Sequence, residues 1–143
     1  LKRLGRRNIT PKVEGTDIVF IGLRSTEEEE EAIITKENIR AFRPQEIKAI
    51  GIEQVALQTI AHLHNCDYIY VSFDVDSLDS SISVGTGTPV EDGLSLDQAT
   101  HLLRTFKALP NLVGLEITEI NPSLDTEKPM HKVIAGLLMR VFE

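Results

Sequence analysis

The chain has 143 residues, about one domain at the usual ~150 residues per domain, and its 41% hydrophobic and 26% charged side chains exclude a disordered or fibrous polymer. The net charge of −7 lacks the positive field that non-specific nucleic-acid binding requires, and the basic cluster Lys2, Arg3, Arg6 and Arg7, within a separate segment over residues 1–16, carries no stacking aromatic and reads as a solvated terminus. No apolar run approaches the ~18 residues of a membrane span, the opening LKRLGRRNIT is no signal peptide, and the lone Cys66 forms no internal disulfide, so a protein of the reducing cytoplasm is expected, with neither nucleic-acid nor membrane partners.

Along the chain, strand-like and helix-like segments alternate. The strand runs are continuously apolar, as strands covered by helices on both faces should be. Ile18–Leu23 (IVFIGL) reads as the first strand. Thr26 with Glu29 then matches a capping box, and Glu27–Glu31 suits the positive end of a helix running to about Thr35. Ile39–Phe42 is a short strand, and Pro44 opens a helix whose apolar period, Ile47, Ile50, Val55, Ile60 and Leu63, carries it to about His64 with Gly51 as a weak point. His62 and His64 lie two apart, so on a helix they face differently and do not share a metal.

Tyr68–Phe73 (YIYVSF) is the strongest strand, and the Gly/Ser/Thr/Pro-rich stretch from Asp74 to Gly93 is a long loop of the kind that usually carries function. Ser95 and Gln98 form a capping box for a helix with the stripe Leu96, Ala99, Leu102, Leu103 and Phe106. Leu112–Ile117 is the last strand, Asn121–Pro122 a turn leading into Thr126–Met130, and about Pro129–Phe142 the last helix. His101 and His131 fall on helices or their edges and read as structural. The predicted order is β-α-β-α-β-α-β-α, an α/β fold with a parallel sheet flanked by helices.

In such sheets ligands bind beyond the carboxyl ends of the strands. There stand Asp74, Asp76 and Glu119, which neighbouring parallel strands would deliver to one edge. Asp74 and Asp76 are one residue apart, so in extended chain both carboxylates share a side, and a divalent cation would relieve their repulsion. The competing reading makes them turn-forming aspartates bonded to loop amides. A haloacid-dehalogenase-like phosphatase would also place Asp-x-Asp after a strand, but Leu78 stands where that family prefers Thr or Val. Gly85-Thr86-Gly87-Thr88-Pro89 is half a dinucleotide fingerprint without its third glycine, and better suits close approach of backbone and the Thr88 hydroxyl to a ligand held by the acids.

Ser72-Phe73-Asp74-Val75-Asp76-Ser77-Leu78-Asp79, Gly85-Thr86-Gly87-Thr88-Pro89, Gly93-Leu94 and Gly114-Leu115-Glu116-Ile117-Thr118-Glu119-Ile120-Asn121-Pro122 together resemble the C-terminal signature of the arginase/agmatinase (ureohydrolase) family. Ile21-Gly22-Leu23-Arg24 and the 45-residue spacing from Asp74 to Glu119 also resemble it. The resemblance implies a three-layer arginase-like α/β/α fold, of which residues 17–143 would form the C-terminal half with about four strands. It implies that Asp74 bridges two manganese ions and Asp76 ligates one, the pair activating a water for attack on a guanidinium carbon. Glu119 would accept paired hydrogen bonds from the guanidinium, with Thr88 supporting the same group, and the products would be urea and an amine.

Glu119-Ile120-Asn121-Pro122-Ser123-Leu124-Asp125 resembles arginases more than agmatinases, which favours arginine over agmatine, guanidinobutyrate or formimidoylglutamate. Ser80 and Val84 stand where the family often has proline. The Gly-Gly-Asp-His and Asp-Ala-His-x-Asp segments that supply the other metal ligands in the family do not occur here, so the expectation is a C-terminal fragment, weak or devoid in metal binding and inactive alone, which could act instead as a folding or assembly module. The family sheet inserts a strand from the missing half between the first and second strand pairs present here. The resulting edges predict a homo-oligomer or strand swap.

Overall fold

The computed structural model describes residues 12–125 and 130–143. The basic cluster at Lys2–Arg7 and most of the Thr126–Met130 stretch lie outside the described residues. After a 3-10 turn at Gly15–Asp17 the elements are β1 (Val19–Ile21), α1 (Glu28–Lys36), β2 (Arg40–Phe42), α2 (Pro44–Ile50), α3 (Ile52–His62), β3 (Ile69–Asp74), a 3-10 turn at Val75–Ser77, α4 (Leu96–Lys107), β4 (Leu112–Thr118) and α5 (Met130–Phe142).

Both strand pairings are parallel. β1 pairs with β2, Phe20 opposite Ala41, and β3 pairs with β4 from Tyr70 opposite Gly114 to Asp74 opposite Thr118. No ladder joins the two pairs among the described residues, which matches the interrupted sheet that the sequence predicts. The core gathers Phe42, Ile47, Val55 and Ala56 from the first half with Phe73, Leu78, Leu103, Phe106, Ile134 and Leu137 from the second. α3 packs on α4 and α4 on α5.

Two expectations are corrected. The helix read as continuous from Pro44 to His64 breaks at Gly51, whose φ of +82° is left-handed; its N–H still closes α2 onto the Ile47 carbonyl at 2.9 Å while its own carbonyl accepts from Val55 to start α3. A residue with a Cβ resists that φ, and glycine does not. The first helix begins one turn position later than the Thr26–Glu29 box implies, with Glu27 as N-cap and the Glu30 carboxylate accepting from the Glu27 N–H at 2.9 Å, while the Thr26 hydroxyl bonds the Glu31 carboxylate. The parallel strands are flanked by helices as expected, with one face of β3 and β4 open among the described residues. Tyr70 is 59% exposed and Ser72 and Glu116 share its open face, whereas Val71, Phe73, Leu115 and Ile117 face the core. The Tyr70 ring lies across Gly114, where an added Cβ would come within 2.8 Å of it.

The Ser95–Gln98 box is as predicted, the Ser95 hydroxyl accepting from Gln98 N–H at 3.2 Å and the Gln98 side chain from Ser95 N–H at 2.9 Å. No helix among the described residues is long and apolar enough to cross a membrane.

Candidate metal and guanidinium site

β3 ends at Asp74 and turns at once. The Asp74 carboxylate accepts the backbone N–H of Asp76 at 3.0 Å, and its carbonyl accepts the Ser77 hydroxyl at 2.6 Å. This Asx-type closure makes the 3-10 turn Val75–Ser77 and sets the two aspartates side by side. Both earlier readings of the pair therefore meet here, because Asp74 bonds a loop amide and still lies beside Asp76. Burial pushes the Asp74 carboxyl above its ordinary value, opposed by the Asp76 amide and reinforced by the negative charges of Asp76 and Glu119.

Glu119 follows β4, whose Thr118 lies opposite Asp74, so register alone brings it to the same sheet edge. Its φ of +63° is left-handed, a strained conformation for a residue with a side chain. Glu119 is exposed, as is Thr88. The Thr88 hydroxyl donates to Asp76 Oδ2 at 2.8 Å, so its present partner is the aspartate itself.

The loop after β3 is a closed Ω-shaped excursion. Leu94 N–H donates to the Ser77 carbonyl at 2.9 Å, Asp79 N–H to the Leu94 carbonyl at 3.0 Å, and Ser80 N–H to the Val90 carbonyl at 3.2 Å. Gly93 is required at the neck, since an added Cβ would stand 2.3 Å from Asp79 N and 2.4 Å from the Leu78 carbonyl carbon. Asp79 staples the same neck, accepting from Ser81 N–H at 3.0 Å, the Ser81 hydroxyl at 2.6 Å and Gly93 N–H at 3.3 Å; the Ser81 bonds hold its carboxyl below the ordinary value. Inside the loop the Ser83 and Thr86 side chains are buried, and the Gly85 carbonyl accepts Asn121 N–H at 2.8 Å, tying this loop to the one after β4.

The sequence assigned no role to two residues that shape this edge. Arg24, noted only within Ile-Gly-Leu-Arg, reaches across from the end of β1 to the carbonyls of Asp76, Ser77, Leu78 and Val90. Asp125, 5% exposed in its side chain, accepts the Met130 N–H at 2.6 Å at the start of α5 and packs where a Gly85 Cβ would go. Arg24 stands in Ile-Gly-Leu-Arg and Asp125 closes the Glu119–Asp125 motif, but spacing does not show that Arg24 bonds carbonyls more than fifty residues away or that Asp125 accepts the Met130 N–H five residues on. The histidines stay peripheral: His64 Nδ1 lies 2.9 Å from the Ala61 carbonyl and His131 is largely exposed, 3.7 Å from Asp125.

As a donor set, Asp74 and Asp76 offer hard carboxylate oxygens whose mutual repulsion a divalent cation would relieve, and in that respect they fit manganese. Among the described residues no group of three or more His, Cys, Asp or Glu closes around a cation, so these two would supply one side of a coordination sphere.

Residues 5–142 match the Arginase family. The arginase of Emericella nidulans is 35% identical over 114 residues, covering 80% of this chain and 35% of that protein. The native arginase of Bacillus caldovelox superposes with a TM-score of 0.86 at 30% identity, covering 94% of this chain and 46% of that one. A formimidoylglutamase of Bacillus subtilis superposes with a TM-score of 0.83 at 25% identity over 90% of this chain and 41% of that one. The chain thus spans between about a third and a half of the length of these relatives. Signature residues, parallel-strand carboxylate edge and these likenesses converge: the chain belongs to the arginase family.

Proposed function

We propose that this chain supplies the carboxylate edge of a manganese-dependent ureohydrolase that hydrolyses the guanidinium group of arginine to urea and an amine in the cytoplasm. The observation that carries the reading is the meeting of Asp74, Asp76 and Glu119 beyond the carboxyl ends of β3 and β4. Asp74 and Asp76 would hold the metal through their carboxylate oxygens. When bound, a manganese pair supplies Lewis-acid chemistry that makes a water nucleophilic near neutral pH.

The chain's own residues do the rest. Glu119 accepts paired hydrogen bonds from the planar guanidinium and fixes its carbon relative to Asp74. Thr88 donates to Asp76 Oδ2, which would hold the carboxylate in one orientation for the metal, and its hydroxyl would support the same substrate group. Two carboxylates without further ligands bind manganese weakly, so the isolated 143 residues are expected to be inactive.

The test is urea release from arginine and agmatine with added Mn²⁺, on this chain and on the full-length gene product, with bound metal counted in both. Urea and about two metals in the full-length product alone support the reading and identify the substrate. Urea from the isolated chain overturns the inactive-half reading, and no urea and no metal in either overturns the enzyme.

A further inference from the structure

Arg24 makes an unusual set of bonds. Its Nη1 donates to the carbonyls of Gly22 at 3.0 Å and Ser77 at 3.1 Å, and its Nη2 to those of Asp76 at 2.5 Å, Val90 at 3.3 Å and Leu78 at 3.4 Å. Every acceptor described for this guanidinium is a backbone carbonyl. The half-buried cation is thus compensated by peptide dipoles drawn from three separate stretches of chain.

Three of those carbonyls, at 76, 77 and 78, are consecutive. In an extended strand successive carbonyls point to opposite sides, so their convergence on one cation requires the turn that follows β3. Carbonyls gathered in this way repel one another and, partly buried, are costly to leave unpaired. A planar fork of five N–H groups satisfies several at once; the single nitrogen of a lysine does not span acceptors on three segments.

The position of the contacts matters as much as their number. One falls on the carbonyl of Asp76 itself. Another falls on Val90, two residues beyond Thr88, whose hydroxyl donates to Asp76 Oδ2. Arg24 therefore grips both the backbone of this aspartate and the loop carrying its side-chain partner. It does so from the far side of the break between the strand pairs, where the φ of +81° at Gly22 redirects the chain.

We infer that Arg24 is a positioning residue that fixes the 76–78 turn and the 88–90 stretch against the end of β1, and so aims the Asp76 carboxylate at the metal. The inference rests on the reading of Asp76 as a metal ligand. It adds a residue that touches neither metal nor substrate.

The test compares wild type with Arg24→Lys and with Lys48→Met. The latter breaks the Lys48–Asp92 ion pair, a tether from α2 to the same loop that does not touch Asp76. Amide hydrogen exchange is measured on the 143-residue chain, and bound manganese is counted in the full-length gene product. Expected for Arg24→Lys is about tenfold faster exchange at the amides of Asp76, Leu78 and Leu94, with α3 and α4 unchanged, and a matching loss of manganese affinity. Lys48→Met leaves Asp76 and Leu78 at wild-type protection.

Wild-type exchange at those amides in Arg24→Lys, with manganese retained, overturns the inference while leaving the metal reading intact. Uniform loss of protection through α3 and α4 also overturns it, since Arg24 would then support the whole fold. If wild-type full-length product holds no manganese, Asp76 is no ligand and the inference falls together with that reading.

Discussion

At the residue scale, Glu119 is the group whose chemistry is easiest to isolate, because it is exposed and its carboxylate has no hydrogen-bond or ion-pair partner among the described residues. Glu119→Gln keeps the shape but replaces one acceptor oxygen by a donor, so the paired bonds to a guanidinium are lost; kcat/KM of the full-length product is expected to fall by about 100-fold or more, with bound manganese unchanged. Asp79 tests the loop neck by pH. Its folded-state carboxyl lies below the ordinary value of about 3.9, so it stabilises the fold above that value, and the contribution disappears as pH falls through the folded-state value. Melting temperatures of wild type and Asp79→Asn should therefore differ at pH 6 and converge as the pH is lowered through this range; a separation that stays constant with pH refutes the assignment. Glycines provide a third contrast. Gly93→Ala forces a Cβ into the backbone of Leu78 and Asp79 and is expected to cost about 2 kcal/mol or more, whereas Gly114→Ala meets only the ring of exposed Tyr70, which can swing away, and should cost under about 1 kcal/mol by denaturant unfolding.

At the element scale, capping and helix breaks carry the structure's local specificity. Ser95→Ala removes the acceptor for the Gln98 amide at the start of α4 and should cost about 1 kcal/mol by denaturant unfolding, with no change in the exchange of β1 or β2 amides. The Ser95 box was legible because both of its partners lie within one turn. The Thr26 box was misplaced because Glu27–Glu31 offers several equivalent partners, and Thr26 bonds Glu31 while Arg43, at the N-cap of α2, pairs with the same carboxylate. Those two contacts, Thr26 first and then Arg43, hold the Glu31 carboxyl below its ordinary value. The break at Gly51 was visible as a weak point in the helical period but not as an end. A left-handed φ is decided by how α2 and α3 must turn to bring Ile47, Ile52 and Val55 into one core.

On the scale of the whole molecule, two parallel strand pairs with no ladder between them leave strand edges without backbone partners among the described residues, where the face bearing Tyr70, Ser72 and Glu116 is open. Unpaired edges recruit other strands. The isolated chain is expected to associate with itself in a concentration-dependent way, and sedimentation velocity across the micromolar range checks it; a compact monomer throughout would refute it. YIYVSF has the composition of a strand buried on both sides, but burial on the second side depends on what else is present to cover it.

The sequence by itself determined the alternation of elements, the carboxylates at the ends of β3 and β4 and the family, because periodicity, strand composition and the Asp74-to-Glu119 motif are local or fixed in spacing. It took the folded structure to show that Thr88 bonds Asp76, that Gly93 must be glycine, and that Arg24 clasps carbonyls more than fifty residues away. The Gly93 and Arg24 features depend on backbone groups that every residue carries, and the Thr88–Asp76 bond on two side chains twelve residues apart; none leaves a mark on sequence pattern until folding brings the groups together.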